Sequence, residues 1–176
     1  MIMFKIKPGR NLYLSGTVDW QDLMALSLNI KTLVDQNKKE WMNLYITSYG
    51  GNAEAGFGIY DFIRKIARPK MQTVVVRRAS SIAIVITMAG THRVMLSSAV
   101  MNFHDIGEEL AEVGVIARKD LKSALEVLNQ KRDEYARIIA RNSKLSPVDV
   151  KLLMDREETV DAKTALKFGL AHEIIR

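Results

Sequence analysis

Residues 73–90, with the sequence TVVVRRASSIAIVITMAG, restrict the fold of this chain more than any other stretch. The β-branched run 73–76 has the length and branching of a buried strand. The run 82–88 carries no charge on any face, and a helix without a polar face must be enclosed by protein. The stretch therefore predicts a buried strand and a buried helix that are joined by a short polar break.

Ser80 and Ser81 lie at the entrance of this predicted helix. The first turn of a helix has backbone N–H groups without partners and carries partial positive charge, so an oxyanion beside Ser81 would find oriented donors. This favours Ser81 as the nucleophile of an acyl-transfer reaction. The alternative is that either serine only caps the helix, and this stretch alone leaves both interpretations open.

Composition excludes several classes of chemistry. A length of 176 residues with 48% hydrophobic content predicts one globular domain, residues 1–176. The chain has no cysteine, which rules out thiol nucleophiles, disulfides and thiolate metal sites. Its three histidines are scattered and no HExxH motif is present, so neither a metal ion nor another cofactor is predicted.

The charge distribution and the apolar runs bear on partners and compartment. The net charge of +6 is spread along the chain without a recognisable binding motif, so we predict no nucleic-acid partner. The N-terminus has no signal-peptide pattern and no apolar run is long enough to span a bilayer. These features predict a cytoplasmic protein without a membrane partner.

Strands and helices are predicted to alternate along the chain, which favours a largely parallel α/β sheet. Predicted strands cover residues 11–16, 44–47, 73–76, 93–96, 100–103 and 170–175. Helices are predicted after Asp19, from Ala53 to the residue before Pro69, over 82–88 and from Ser146. A last helix covers residues 161–168, and His92 is placed in a hairpin. Residues 115–143 form a long charged helix with one apolar stripe, made by Leu121, Leu125, Leu128, Tyr135 and Ile139.

A serine nucleophile needs a base, an orienting acid and oxyanion donors, and each has a candidate at the end of a predicted element. His104 ends an apolar strand and is the candidate base. The glycine pair 50–51 lets the backbone approach a substrate closely. A backbone amide of this pair is therefore expected to form an oxyanion hole together with the N–H of Ile82. The acid would come from the charged loop 155–158, DREE.

These features, in this order, resemble the Clp protease proteolytic subunit across residues 10–174. The resemblance is carried by NLYLSGTVD, LYITSYGGNAEAGFGIYDFI, ASSIAIVITMAG, HRVMLSSAVMNFH and DAKTALKFGLAHEI. It implies a ClpP/crotonase-like α/β fold, with a core of repeated strand, turn and helix units and a protruding handle helix. The head would comprise about 1–110 and 145–176, and the handle about 111–144.

The resemblance also implies residue roles. Ser81 matches the nucleophile, His104 the general base, and the backbone amides of Gly51 and Ile82 the oxyanion hole. Glu157 stands where the family has an aspartate. Because glutamate is one methylene longer, Asp155 and Glu158 stay open as alternatives.

The implied function is that of a serine endopeptidase. It would cleave peptides or unfolded proteins through an acyl-enzyme, inside a chamber of stacked homo-oligomeric rings. The family implies an AAA+ unfoldase as a partner, but only a short segment precedes Arg10, where the unfoldase-linked members carry their axial gate, and this argues against such a partner. The channel-lining segment after the histidine is matched by residues 107–110, which include two carboxylates.

Three departures from the family pattern keep two other functions open. Arg77 and Ala83 stand where relatives often have glycine, and Tyr49 replaces a proline. Arg77, Ala83 and Glu157 suggest a catalytically weak ring subunit, a scaffold that assembles with an active paralogue. A crotonase-type acyl-CoA enzyme is the third hypothesis, since it shares the fold and a two-amide oxyanion hole but needs no serine–histidine pair.

Overall fold

The computed structural model describes residues 9–107 and 118–176. The described strands are β1 Asn11–Val18, β2 Trp41–Gly51, β3 Lys70–Ser80, β4 His92–Leu96, β5 Val100–Asn102, β6 Thr159–Asp161 and β7 Glu173–Ile175. The helices are α1 Trp20–Asn37, α2 Ala53–Asp61 with a π-helical continuation Phe62–Ala67, α3 Ile82–Met88, α4 Arg118–Arg141, α5 Pro147–Asp155 and α6 Ala162–Phe168.

The sheet has the order β1-β2-β3-β4-β7 with parallel pairs throughout. Strand β3 changes neighbours along its length: residues 72–75 pair with β4, and residues 78–80 pair with β5. Strand β6 then pairs with β5 in the antiparallel direction. The predicted, largely parallel α/β sheet is confirmed.

The structure corrects three predicted details. Strand β3 continues through the expected polar break as far as Ser80. It does so because β5 forms the backbone pairs with residues 78–80, beyond the end of the pairing with β4. His92 does not lie in a hairpin but opens a strand that runs parallel to β3. The last strand is shorter than predicted, because the N–H of Leu170 folds back to the carbonyl of Ala165, 2.8 Å away, at the end of α6.

Helix α3 is buried along its whole length, as its uncharged sequence predicts. It packs against the sheet strands β2 and β3 and against the helices α2 and α4. Gly56 of α2 permits the close contact, since a Cβ atom at this position would lie 2.1 Å from Cγ1 of Ile82. The first residue of α3 is therefore fixed by packing, and with it the position of Ser81.

Helix α4 has two unlike halves. Its C-terminal half is packed into the core through Tyr135, Ala136 and Ile139. Its N-terminal half leaves Leu121 51% and Leu125 58% exposed. Within the described residues, no helix is both long and apolar enough to cross a membrane.

Some predictions fall on residues outside the described ranges. These are the segment before Arg10 apart from Gly9, the channel-lining residues 108–110, and the start of the predicted handle at 111–117. The division into head and handle stays a prediction.

Candidate active site

The candidate residues converge because three parallel strands end at one edge of the sheet. In the ladders, Ser48 of β2 pairs with Ala79 of β3, and Ser80 of β3 pairs with Asn102 of β5. Parallel strands in register have their carboxyl ends together. The glycine pair at the end of β2, Ser81 after β3 and His104 after β5 therefore lie at the same edge of the sheet.

Ser81 occupies a strained turn between β3 and α3. Its backbone has φ 53° and ψ −130°, in a region that residues other than glycine rarely adopt and that costs about 1–3 kcal/mol. A strained strand-to-helix turn of this kind is how α/β hydrolases expose a nucleophilic serine. The turn is held by hydrogen bonds: its N–H donates to the carbonyl of Asn102 at 2.9 Å, and its carbonyl accepts from the hydroxyl of Tyr135 at 3.3 Å.

The two serines have different hydrogen-bond roles. Ser80 donates its hydroxyl to Oδ1 of Asn102 at 3.0 Å, and Nδ2 of Asn102 donates to Thr159 Oγ1 at 2.6 Å, so Ser80 belongs to a structural network. Ser81 stands at the N-cap position of α3, but its side chain makes no capping hydrogen bond in the described structure. The capping interpretation is therefore wrong for Ser81.

The glycine pair is packed too closely for any side chain, Gly50 against Ser81 and Gly51 against Val18. A Cβ atom on Gly50 would lie 2.7 Å from Cβ of Ser81 and 3.3 Å from its Oγ, and Gly50 has a φ of +90°. The amide nitrogen of Gly51 is bonded to the carbonyl carbon of Gly50, so this N–H starts beside the serine. Ile82 is the first residue of α3, and its N–H has no acceptor within the helix.

His104 is exposed, directly after the buried Phe103. Its Nδ1 lies 2.7 Å from the backbone carbonyl oxygen of Asp105. A carbonyl oxygen only accepts hydrogen bonds, so Nδ1 carries the proton and Nε2 keeps its lone pair. This is the tautomer that a general base acting through Nε2 requires.

Strand pairing brings the segment before His104 next to the segment that follows Glu157. Met101 pairs with Val160, and the N–H of Phe103 donates to the carbonyl of Glu158 at 2.9 Å. The described pairs end at Asn102 with Thr159, and the hydrogen bond from Phe103 to Glu158 is the last contact before His104 and Glu157. Glu157 is exposed, with its backbone in the left-handed region at φ 49°. The hydrogen bond described for His104 goes to Asp105 and not to Glu157, so the role of Glu157 stays a prediction.

The alternative acids have other contacts. Asp155 accepts a close hydrogen bond from Nη2 of Arg132, and Nε of the same guanidinium lies 3.2 Å from Oδ1 of Asp105. Arg132 thus connects the residue that follows His104 to the end of α5. Glu158 contributes its backbone carbonyl to Phe103.

Tyr135 and Arg132 support the site but were not identified as site residues from the sequence. Tyr135 belongs to the apolar stripe, and its phenol was a signal because a buried tyrosine hydroxyl needs a hydrogen-bond partner. Burial raises the pKa of Tyr135 well above its usual value, so the hydroxyl stays protonated and can donate to Ser81. Arg132 gave no sequence signal, since it is one of many charged residues on α4.

Of the residues that depart from the family pattern, Ala83 is buried, whereas Tyr49 and Arg77 are exposed. Ala83 is fully buried inside α3, so its methyl group does not meet substrate. Tyr49 is exposed, and the guanidinium of Arg78 lies 5.1 Å from the centre of its ring. Arg77 is exposed on β3. Within residues 9–107 and 118–176, no three His, Cys, Asp or Glu side chains are grouped so as to hold a metal ion.

Comparisons with known proteins agree with this geometry. The family model described as Clp protease matches residues 2–176. Over 173 residues the chain is 28% identical to ATP-dependent Clp protease proteolytic subunit 1 of Tropheryma whipplei (strain Twist), with 97% of this chain and 82% of that protein covered. It is 26% identical over 173 residues to ATP-dependent Clp protease proteolytic subunit 2 of Streptomyces coelicolor, with 97% and 78% covered.

A solved structure confirms the fold. A mutant of ClpP1 from Listeria monocytogenes superimposes with a TM-score of 0.83 at 22% sequence identity, and the match covers 95% of this chain and 91% of that one. The predicted ClpP-like α/β fold is therefore correct.

Proposed function

This chain belongs to the Clp protease family, which makes it a peptidase, and we propose that it cleaves peptide bonds with Ser81 as the nucleophile. The observation that carries the proposal is the strained backbone of Ser81, whose side chain makes no capping hydrogen bond with α3. Strain of this kind persists only where the surrounding structure imposes it, and it is concentrated at functional sites.

In the proposed reaction, Oγ of Ser81 attacks the carbonyl carbon of the substrate while Nε2 of His104 removes its proton. The negative charge that develops on the carbonyl oxygen is stabilised by the N–H groups of Gly51 and Ile82. His104 then gives the proton to the leaving amine, and an acyl-enzyme forms on Ser81. Water, activated by the same imidazole, hydrolyses this ester and regenerates the serine.

We assign the third position to Glu157. The carbonyl of Asp105 supports the tautomer of the resting imidazole, and Glu157 would stabilise the positive charge that the ring gains when it removes the serine proton. The assignment is supported by the hydrogen bond between Phe103 and Glu158, the residues next to His104 and Glu157 in the sequence.

The proposed substrates are peptides or unfolded proteins, cleaved in the cytoplasm inside a chamber of stacked rings. Support for assembly comes from α4, whose N-terminal half leaves Leu121 and Leu125 exposed on a helix that is otherwise highly charged. Exposed apolar residues in a row on one helix face are typical of a contact with another subunit.

A fluorophosphonate probe tests the proposed function. Such probes react with activated serines, so we expect stoichiometric labelling of the wild-type protein at Ser81, found by mass spectrometry of the labelled peptide. Ser80→Ala should be labelled as fast as wild type, and His104→Ala much more slowly, because the base activates the hydroxyl. Absence of labelling in the assembled wild-type protein would favour the scaffold hypothesis.

Assembly gives a second prediction. Leu125→Glu places a charge in the exposed apolar stripe of α4, where a subunit contact would have to desolvate it, so we expect a smaller particle by sedimentation velocity. Ser123→Glu is the matched control, because Ser123 is also exposed but lies on the opposite side of the helix. A monodisperse wild-type monomer at micromolar concentration would contradict the ring assembly.

A further inference from the structure

A cavity of about 600 Å³ adjoins the end of β2 at Gly51. In the proposed mechanism, the N–H of Gly51 binds the oxygen of the carbonyl group that Ser81 attacks. The side chain of the residue that carries this carbonyl therefore starts at the mouth of the cavity. What lines the cavity decides which side chains the enzyme accepts there.

An ion pair lies in the wall of this cavity. Nζ of Lys131 is 3.6 Å from Oε1 of Glu54, and the two side chains are 15% and 55% exposed. Glu54 stands in the first turn of α2 and Lys131 on α4, so both come from rigid elements. Ala53 and Ile106 supply apolar wall beside the pair. The cavity thus combines a small apolar surface with a charged acceptor, Glu54, and a charged donor, Lys131, and Thr17 and Asn52 add uncharged polar lining.

The pair makes the cavity a poor site for a large apolar side chain. A leucine or phenylalanine there would remove water from Glu54 and Lys131 and would return no hydrogen bond, which is costly for charged groups. A substrate lysine would lie beside the like charge of Lys131, and a substrate glutamate beside the like charge of Glu54, and like charges in contact are unfavourable. A carboxamide both donates and accepts, so it can bond to both ions at once.

We propose that this cavity is a specificity subsite that selects glutamine or asparagine at the residue whose carbonyl Ser81 attacks. The inference rests on the proposed peptidase function, because the reaction places the substrate there. The ligand class is thus a peptide with a carboxamide side chain on the acyl side of the cleaved bond.

Fluorogenic peptides that differ only at this residue test the subsite. With Gln, Leu, Lys or Glu at the position, we expect wild-type kcat/KM for Gln to exceed that for Leu by at least about tenfold. The double variant Glu54→Leu with Lys131→Met should reverse this order. The control is Lys31→Met with Asp35→Leu, which removes an ion pair on the exposed face of α1 and should leave the preference unchanged. A wild-type preference for Leu, Lys or Glu, or an unchanged preference in the Glu54 and Lys131 variant, overturns the subsite.

Peptide binding to Ser81→Ala separates this inference from the proposed catalysis. Labelled peptides of the same four sequences are titrated by fluorescence anisotropy, and the Gln peptide should bind most tightly whether or not the wild type turns over. If the wild type hydrolyses peptides but prefers Leu, Lys or Glu to Gln, the subsite proposal is wrong and the proposed peptidase function stands. Tighter binding of Gln without any wild-type hydrolysis supports the subsite and defeats the peptidase mechanism, and equal binding of all four peptides overturns the subsite.

Discussion

Ser81→Ala is expected to lower kcat for peptide hydrolysis by roughly a million-fold, the loss seen when a triad serine is removed. The alanine leaves no atom to form the acyl-enzyme, and the oxyanion donors alone retain only weak catalysis. Single-turnover assays with a fluorogenic peptide measure the residual rate. The fold should survive, since the half-buried Ser81 side chain makes no capping bond and α3 is packed by apolar contacts.

His104→Ala should cost about as much as Ser81→Ala, and the double variant should be little worse, because the two groups act as one unit. Ser80→Ala is the matched control. It removes a hydrogen bond to Asn102, which costs about 1 kcal/mol of stability, and should leave most of the activity. Additive losses for Ser81 and His104 would argue against a shared proton transfer, and equal losses for the two serines would contradict the choice of nucleophile.

The part of the site that sequence could predict depends on local patterns. The uncharged run of α3 is stable only inside the protein, and the β-branched run before it has the pattern of a buried strand. The position of the turn between them is therefore determined by neighbouring residues in the sequence. The two glycines at the end of β2 likewise mark a close backbone approach before any partner is known. The structure supplies the partners, which are Ser81 for Gly50 and the backbone of Val18 for Gly51.

The rest of the site depends on contacts between residues far apart in sequence. No local signal shows that β3 exchanges β4 for β5 within one strand, and this exchange is what brings Ser81 beside the strand that leads to His104. The hydroxyl of Tyr135 reaches the carbonyl of Ser81 across 54 positions of sequence. Arg132 contacts Asp105 and Asp155 because the segment after His104 and the end of α5 both lie against α4. Charge alone does not distinguish such a residue from its solvated neighbours.

The strain at Ser81 also depends on long-range packing. A turn whose backbone strain costs about 1–3 kcal/mol of folding free energy must be held by contacts that contribute more than that. Helix α3 provides them, because each of its fully buried aliphatic side chains contributes about 1.5–3 kcal/mol. The hydrogen bonds from Ser81 to Asn102 and from Tyr135 to Ser81 then fix the direction of the turn. The unusually apolar sequence of α3 therefore stabilises the strained turn at Ser81.

Glu157→Gln is expected to lower kcat by about a hundredfold, less than the roughly ten-thousandfold loss known for the equivalent change in a serine-protease triad. Much of that larger loss comes from the wrong imidazole tautomer. Here the carbonyl of Asp105 already holds the proton on Nδ1 of His104, so the tautomer survives without Glu157. What glutamine removes is the negative charge that stabilises the imidazolium. Pre-steady-state kinetics of acylation measure this step directly.

Two neighbouring carboxylates provide the controls. Glu158→Gln should keep near-normal turnover, because Glu158 pairs with Phe103 through its backbone carbonyl. Asp155→Asn weakens the contact with Arg132 and should have a smaller effect than Glu157→Gln. Normal turnover in Glu157→Gln together with a large loss in Asp155→Asn would transfer the acid role to Asp155. If all three variants keep normal rates, His104 acts with the Asp105 carbonyl alone, and the enzyme is a serine–histidine dyad.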